Sequence, residues 1–283
     1  MIEPEFRVFD GSVAMRRLLL AAMMFGTMAG AHAADMPDFL RGSSGAPTPT
    51  VNWRGFYVGG QYGYGSSDEN FNGATSNMIA PLVANNVIQE MGVSSWNIGL
   101  GKQSARSPGF GGFTGYNWQW DDVVLGLEAS YLHGNFGGST SGSEGPLIFP
   151  LSDGQFHSVG ATSQAGISIS DMATFRARAG YAYGSFLPYV FAGAAFGNAD
   201  IVRSVTVTDA RSATLAGPFV QAPDLTSSDA EHNHLVYGYT AGVGIDVNLI
   251  GGLFMRAEWE YTRFTASIDT NINTVRAGLG YKF

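Results

Sequence analysis

Cysteine is absent from the 283-residue chain, so neither a disulfide framework nor a thiolate metal site is available. Charge is scarce as well: Asp, Glu, Lys and Arg make up 13% of residues, about half the share usual in a soluble domain. What charge there is sums to -8, a poor match to phosphate backbones, and no nucleic-acid partner is expected. No window holds the roughly 18 consecutive apolar residues that a spanning helix needs, although 45% of residues are hydrophobic and 13% aromatic. Phosphate-cradling loops are missing too. Gly59-Gly60 and Gly111-Gly112 lead into no helical pattern and read instead as strand glycines that let a wall curve.

What the chain does have begins at its amino end. Met15-Arg16-Arg17 precedes an apolar run over residues 18–29 and the small-x-small sequence Ala31-His32-Ala33. These features predict a secretory signal over 15–33, cleaved between Ala33 and Ala34, with Ala31 the other small residue of the cleavage site. Residues 1–14 carry Glu3, Glu5 and Asp10, which do not suit the basic start of a signal. They read as a non-native leader, with Met15 the true start. Residues 34–52, with Pro37, Pro47 and Pro49 among Gly, Ser and Thr, predict a flexible periplasmic linker. The remaining domain is 53–283.

That domain alternates with period two in segments of the length a tilted membrane strand requires. Eight segments are predicted, over 54–65, 109–120, 123–133, 172–183, 187–197, 235–247, 253–264 and 273–283. In 123–133, Val123, Leu125, Leu127 and Tyr131 share one phase while Glu128 and Ser130 take the other. In 253–264, Leu253, Met255, Trp259 and Tyr261 oppose Arg256, Glu258 and Glu260. Segment 187–197, "LPYVFAGAAFG", is apolar on both phases, and its phase is left open. Short turns are expected at 121–122, 184–186 and 248–252. Long polar loops are expected over 66–108, 134–171 and 198–234, with a shorter one at 265–272.

The charges select between a soluble and a membrane barrel. Glu128, Arg176, Arg178, Asp246, Arg256, Glu258, Glu260, Arg276 and Lys282 all fall on the phase opposite the aliphatic and aromatic one. Four acids against five bases suit a narrow interior filled by ion pairs, and Tyr and Trp at the strand ends suit an interfacial girdle. The prediction is an all-β fold: an eight-stranded antiparallel up-and-down transmembrane β-barrel with long extracellular loops, in contact with outer-membrane lipid. Eight strands leave an interior only wide enough for side chains, so the charges are expected to plug the lumen; a small-solute channel is the alternative function.

The segments "WRGFYVGGQYGYG" at 53–65, "LPYVFAGAAFG", "MRAEWEYTRF" at 255–264 and the terminal "VRAGLGYKF" resemble motifs of the small porin-like outer-membrane surface antigens of alphaproteobacteria. The resemblance covers over half of the chain after the signal and is most specific at Trp53-x-Gly55-Phe56-Tyr57-Val58-Gly59-Gly60. It implies an outer-membrane protein that contributes to envelope integrity and surface recognition. The terminal aromatic also resembles the signal read by the outer-membrane assembly machinery, which carries over to Leu279, Tyr281 and Phe283. The chain departs from the family pattern in its 14 leading residues and its long first three loops, so no loop-borne activity is carried over.

An enzyme is not predicted. Glu128, Ser130 and His133 are close in number, but alternation points His133 away from the other two, which defeats a catalytic constellation on geometry. His157 is expected beside a loop. The pair in His232-Asn233-His234 lacks further defined ligands and makes a poor metal site. No catalytic residue, metal or cofactor is assigned, and the lipid-modifying enzyme is the weakest alternative.

Overall fold

Eight long antiparallel strands pair edge to edge until the first meets the last, in a computed structural model that describes residues 51–266 and 268–283. The leader, the signal with Ala31, Ala33 and Ala34, and nearly all of the linker lie outside the described residues. The ring strands are β1 (Gly55–Asn70), β2 (Lys102–Trp120), β3 (Val123–Pro150), β4 (Phe156–Tyr181), β5 (Phe186–Ser212), β7 (Leu225–Ile250), β8 (Leu253–Thr265) and β9 (Asp269–Lys282). A two-residue strand, β6 (Val220–Gln221), pairs with the far end of β5 outside the ring. Each ring strand pairs with its neighbours in sequence, β6 aside, and β1 closes on β9 from Tyr57↔Lys282 to Asn70↔Asp269.

The alternation decides which face each residue takes. Outward-pointing Val58, Leu125, Leu127, Phe175, Val190, Val243, Met255, Val275 and Leu279 are exposed around the barrel and form an apolar belt. Trp118, Trp120, Tyr181, Tyr281 and Phe283 gather near the short turns, and Tyr62, Tyr64, Phe110, Tyr131 and Tyr239 sit toward the other end. Aromatic girdles flanking an apolar belt mark the two membrane interfaces, and the short turns belong to the periplasmic side. Among the described residues no helix is long and apolar enough to cross a membrane. The open phase of 187–197 resolves with Leu187, Tyr189, Phe191 and Ala195 inward and Pro188, Val190 and Phe196 outward.

Two of the three predicted long loops are not loops. Residues 134–171 form the upper halves of β3 and β4, joined only by 151–155, and 198–212 continue β5 while 225–234 begin β7. Ser, Gly and Thr make these stretches look like loops, but small side chains also fit a ladder. The extension is kept in register by an inner row, including Val159, Ala161, Ala165, Ile167, Ile201, Val205 and Val207, that is buried. Strands β8, β9 and β1 and the start of β2 stop near the outer girdle, whereas β3, β4, β5 and β7 rise as a tall wall. Fifteen further residues on β4, Phe156–Ser170, at about 3.3 Å each and a tilt near 40°, lift that wall by roughly 40 Å.

The third predicted loop, shortened to 71–101, covers the inner side of the wall. It holds α1 (Ser76–Val83) and two 3-10 turns, Val87–Met91 and Val93–Ser95. Met78, Ile79 and Val83 bury one face of α1, while Pro81 lies on its exposed side. The Asn86 side chain accepts from the Ile88 amide at 3.2 Å and starts the first 3-10 turn; Gly92, at φ 71°, ends it. Ile79, Val83, Ile88, Val93 and Ile98 then pack on Val159, Ala161, Val205 and Val207 of β4 and β5. Thr140 Oγ1 donates to the Leu100 carbonyl at 3.0 Å and Arg203 Nη1 to the Ala74 carbonyl at 3.2 Å, pinning both ends of the segment.

Candidate functional site

The lumen is stacked in layers, and the charged one lies between two apolar ones. At the periplasmic end Trp53, Tyr57, Phe113, Val124, Leu187, Tyr189, Phe191 and Phe254 form a buried cluster. The Trp53 amide donates to Gln119 Oε1 at 2.6 Å and Asn117 Nδ2 to the Trp53 carbonyl at 3.3 Å, so Trp53, two residues before β1, closes the barrel floor. Glycine makes room for the rings: a Cβ at Gly59 would stand 2.3 Å from the Phe113 ring, and one at Gly244 2.5 Å from Tyr189.

Above this floor eight charged side chains meet, all at 2% exposure or less. The register sets them face to face, pairing Glu128 with Arg176, Asp246 with Arg256 and Glu258 with Arg276 on adjacent strands. Glu128 is the hub. Arg176 Nε donates to its Oε1 at 2.9 Å; Tyr57 Oη, Arg256 Nη1 and Arg178 Nη1 donate to Oε2 at 2.6, 2.8 and 3.2 Å. Arg176 also reaches Glu260 at 2.7 Å and Glu258 at 2.8 Å. Asp246 takes Arg178 Nη2 at 2.7 Å and Arg256 Nε at 2.8 Å. Arg276 stands 2.8 Å from Glu260. The guanidinium groups are further held against aromatic faces, Arg178 over Tyr189 at 3.7 Å, Arg256 over Phe113 at 3.9 Å and Arg176 over Phe191 at 4.1 Å.

Lys282 is the exception among the nine predicted lumen charges. It is half-buried at the periplasmic end, its amide donates to Gly252, and among the described residues its ammonium joins no ion pair. Alternation placed it on the inner phase, but alternation fixes a face and not a height, and Lys282 pairs with Tyr57 of the aromatic floor, outside the charged layer. Without it the layer holds four acids and four bases. Sequence reasoning missed the uncharged partners: Tyr189 Oη donates to Glu258 Oε1 at 2.5 Å and Thr240 Oγ1 to Glu260 Oε1 at 2.9 Å. Gln61 Nε2 donates to Ser130 Oγ at 2.9 Å. In the sequence Tyr57 shares its phase with Gly59, Gln61 and Gly63, opposite Phe56, Val58, Tyr62 and Tyr64, and so reads as inward, whereas Tyr189 lies in the segment of open phase.

Over the charges lies a second apolar layer, including Leu132, Phe136, Ile169, Val236, Phe264 and Ile272, onto which Phe71 and Ala74 of the covering segment pack. Glu69 points into this region with 1% exposure, and neither of its carboxylate oxygens has a hydrogen-bond partner. Outward Ser66 and Asp68 place it above the belt. Burial raises its pKa above the ordinary 4.5, because the ionised form loses its water there.

The histidines do not converge. His133 is outward and exposed, its Nδ1 2.8 Å from Asp171 Oδ1, which also accepts from Tyr131 Oη at 2.5 Å; Ser130 and Glu128 are inside. His157 is buried in the tall wall, 2.9 Å from both Asp153 and Asp209. His232 and His234 face different acids, Asp200 and Glu231, at 3.5 and 3.4 Å. Leu279, Tyr281 and Phe283 are all exposed on the outer face, and the Phe283 amide donates to the Phe56 carbonyl at 2.9 Å, tying the last residue to β1.

A closed eight-stranded barrel with a lipid-facing belt, two girdles and a charge-filled lumen defines an integral outer-membrane β-barrel protein. The family described as Outer membrane protein beta-barrel domain matches residues 18–283, and the chain belongs to that family. It is 26% identical over 204 residues to the 22 kDa outer membrane protein of Rhizobium leguminosarum, covering 68% of this chain and 75% of that one. It is 24% identical over 237 residues to the 25 kDa outer-membrane immunogenic protein of Brucella ovis, covering 83% and 80%. To the 31 kDa outer-membrane immunogenic protein of Brucella melitensis it is 27% identical over 287 residues, covering 95% and 100%. These names describe membrane proteins and antigens, and none states a catalysed reaction.

Proposed function

We propose that the protein is a closed, non-conducting barrel that contributes to envelope structure and displays its tall wall at the cell surface as an antigen. The observation that carries this reading is the filled lumen, with aromatic floor, balanced charge layer and second apolar layer each buried. An ion crossing it would have to part Arg–carboxylate pairs that have no water to take their place. The names of the Brucella relatives support the antigenic role. The reading assigns no catalysis, since Ser130 and His133 stand on opposite sides of β3. The route to the membrane on this reading runs through the signal over 15–33 and the outer-membrane assembly machinery, which takes Leu279, Tyr281 and Phe283 as its mark; the exposure of all three supports that.

Planar-bilayer recording tests the closed lumen, and antiserum raised against 139–170 tests display. Silent bilayers and labelling of intact cells are expected. Stepwise conductance that changes selectivity in Glu258→Ala would replace this reading by the channel, and serum that binds only lysed cells would remove the surface role.

A further inference from the structure

The outer phase of the tall wall carries a pattern that neither the membrane belt nor the lumen accounts for. Across β3, β4, β5 and β7 the register aligns Ser141, Gln164, Ser204 and Ser228 in one row and Ser143, Thr162, Thr206 and Thr226 in the next. All eight point away from the lumen, and no charge interrupts either row. Only Thr206 and Thr226 bond to each other, at 3.3 Å; among the described residues the other six side chains make no hydrogen bond within the protein. Below them runs a row of different character, Ser139, Gly166, Val202 and Ala230, in which Val202 is 49% exposed. Gly166 leaves a dip there, and a groove of about 360 Å³ opens between the polar and apolar rows.

We propose that this face binds neutral saccharide, and that the occupant is the oligosaccharide of lipid-linked glycans standing around the barrel. Hydroxyl and amide groups spaced about 4.8 Å across strands and about 6.6 Å along them offer donors and acceptors in a fixed grid. A sugar ring presents the matching surface, with hydroxyls at its rim and C–H groups on its faces, and Val202 with Ala230 supplies apolar contact for the latter. With no Lys or Arg in these rows, the face lacks the charge-assisted contacts that favour phosphate or sulfate and is matched to a neutral group. The choice of occupant follows from continuity and height: the phase that faces acyl chains at Phe175 and Val190 becomes this grid 11 residues farther up β4 at Gln164 and 14 farther up β5 at Ser204, roughly 30 Å higher at about 3.3 Å per residue and a tilt near 40°, which is the level of glycan above the acyl chains. The inference goes beyond the envelope role and rests on the outer-membrane placement.

The test uses the full chain folded in detergent, titrated with lipopolysaccharide bearing its complete core and with the same lipid trimmed to lipid A. At least tenfold tighter binding of the complete form is expected, with competition by the released core oligosaccharide. The combined variant Ser141→Ala, Gln164→Val, Ser204→Val is expected to lose that preference while keeping the heat-modifiable gel migration of a folded barrel. A single change, Val202→Glu, sets a charge in the groove and is expected to do the same if the triple variant does not fold. Equal affinity for the two lipids, a preference that disappears in high salt, or a preference retained by a folded variant would overturn the proposal.

Discussion

Replacing Glu128 by Gln keeps the shape of the hub and removes its charge, leaving three acids to four bases in a layer cut off from water. Arg176 retains Glu258 and Glu260 and Arg256 keeps Asp246 with Glu258 at 3.6 Å, but Arg178 is left with only a share of Asp246. Breaking one partner out of a buried network costs about 3–5 kcal/mol, because the stranded charge stays desolvated. At about 1.4 kcal/mol per decade, the folded-to-unfolded ratio is expected to fall by roughly 10² to 4 × 10³. The double variant Glu128→Gln, Arg178→Met restores equal numbers, three and three, and is expected to recover at least half of the loss. Urea titration in detergent, read by heat-modifiable migration on a gel, measures both. A single variant within about 1 kcal/mol of the parent, or a double variant no better than the single, would refute a dry, charge-balanced interior.

Glu69 supplies a pH-dependent test. Its raised carboxyl pKa means that the fold favours the protonated form, so this group's contribution is best below pH 4.5 and declines as pH rises from there to the raised value. Glu69→Leu is expected to strengthen the seating of segment 71–101 by about 1–3 kcal/mol at pH 7 and by much less at pH 4, measured as resistance of that segment to protease; equal gains at both pH values would show that packing alone is responsible. Deleting Phe283 is expected to reduce insertion in cells severalfold while leaving the urea midpoint of barrels already inserted nearly unchanged; matched losses in both would make it an ordinary strand end.

The membrane halves of the strands were legible because alternation between lipid and lumen forces strong contrast between phases, as at Leu125, Leu127 and Tyr131 against Glu128 and Ser130. The tall wall was not, although the same period runs through Val159, Ala161, Ser163, Ala165 and Ile167 and through Ile201, Val205 and Val207. Above the bilayer the outer phase faces water and is built of Ser and Thr, and the inner phase is partly Ala, so the contrast shrinks to the level of a loop. The covering segment was missed for a different reason. Met78, Ile79, Val83 and Ile88 are apolar enough to signal a core, but their partners on β4 and β5, from Val159 to Val207, lie far along the chain and were themselves read as loop. In the charge layer, residue type and phase identified who faces inward, while depth depended on register and left Lys282 on the wrong level.

A barrel with four tall strands on one side and a low rim on the other has a front and a back. Most of what surrounds it at the level of the acyl chains meets the same apolar belt on every side, but a neighbour at the level of the sugars meets either a hydroxyl-covered screen or open space above β8, β9 and β1. Rotation about the membrane normal is therefore no longer a neutral degree of freedom. Each molecule carries a bearing within the plane of the membrane, and crowding in the outer leaflet has something by which to orient it.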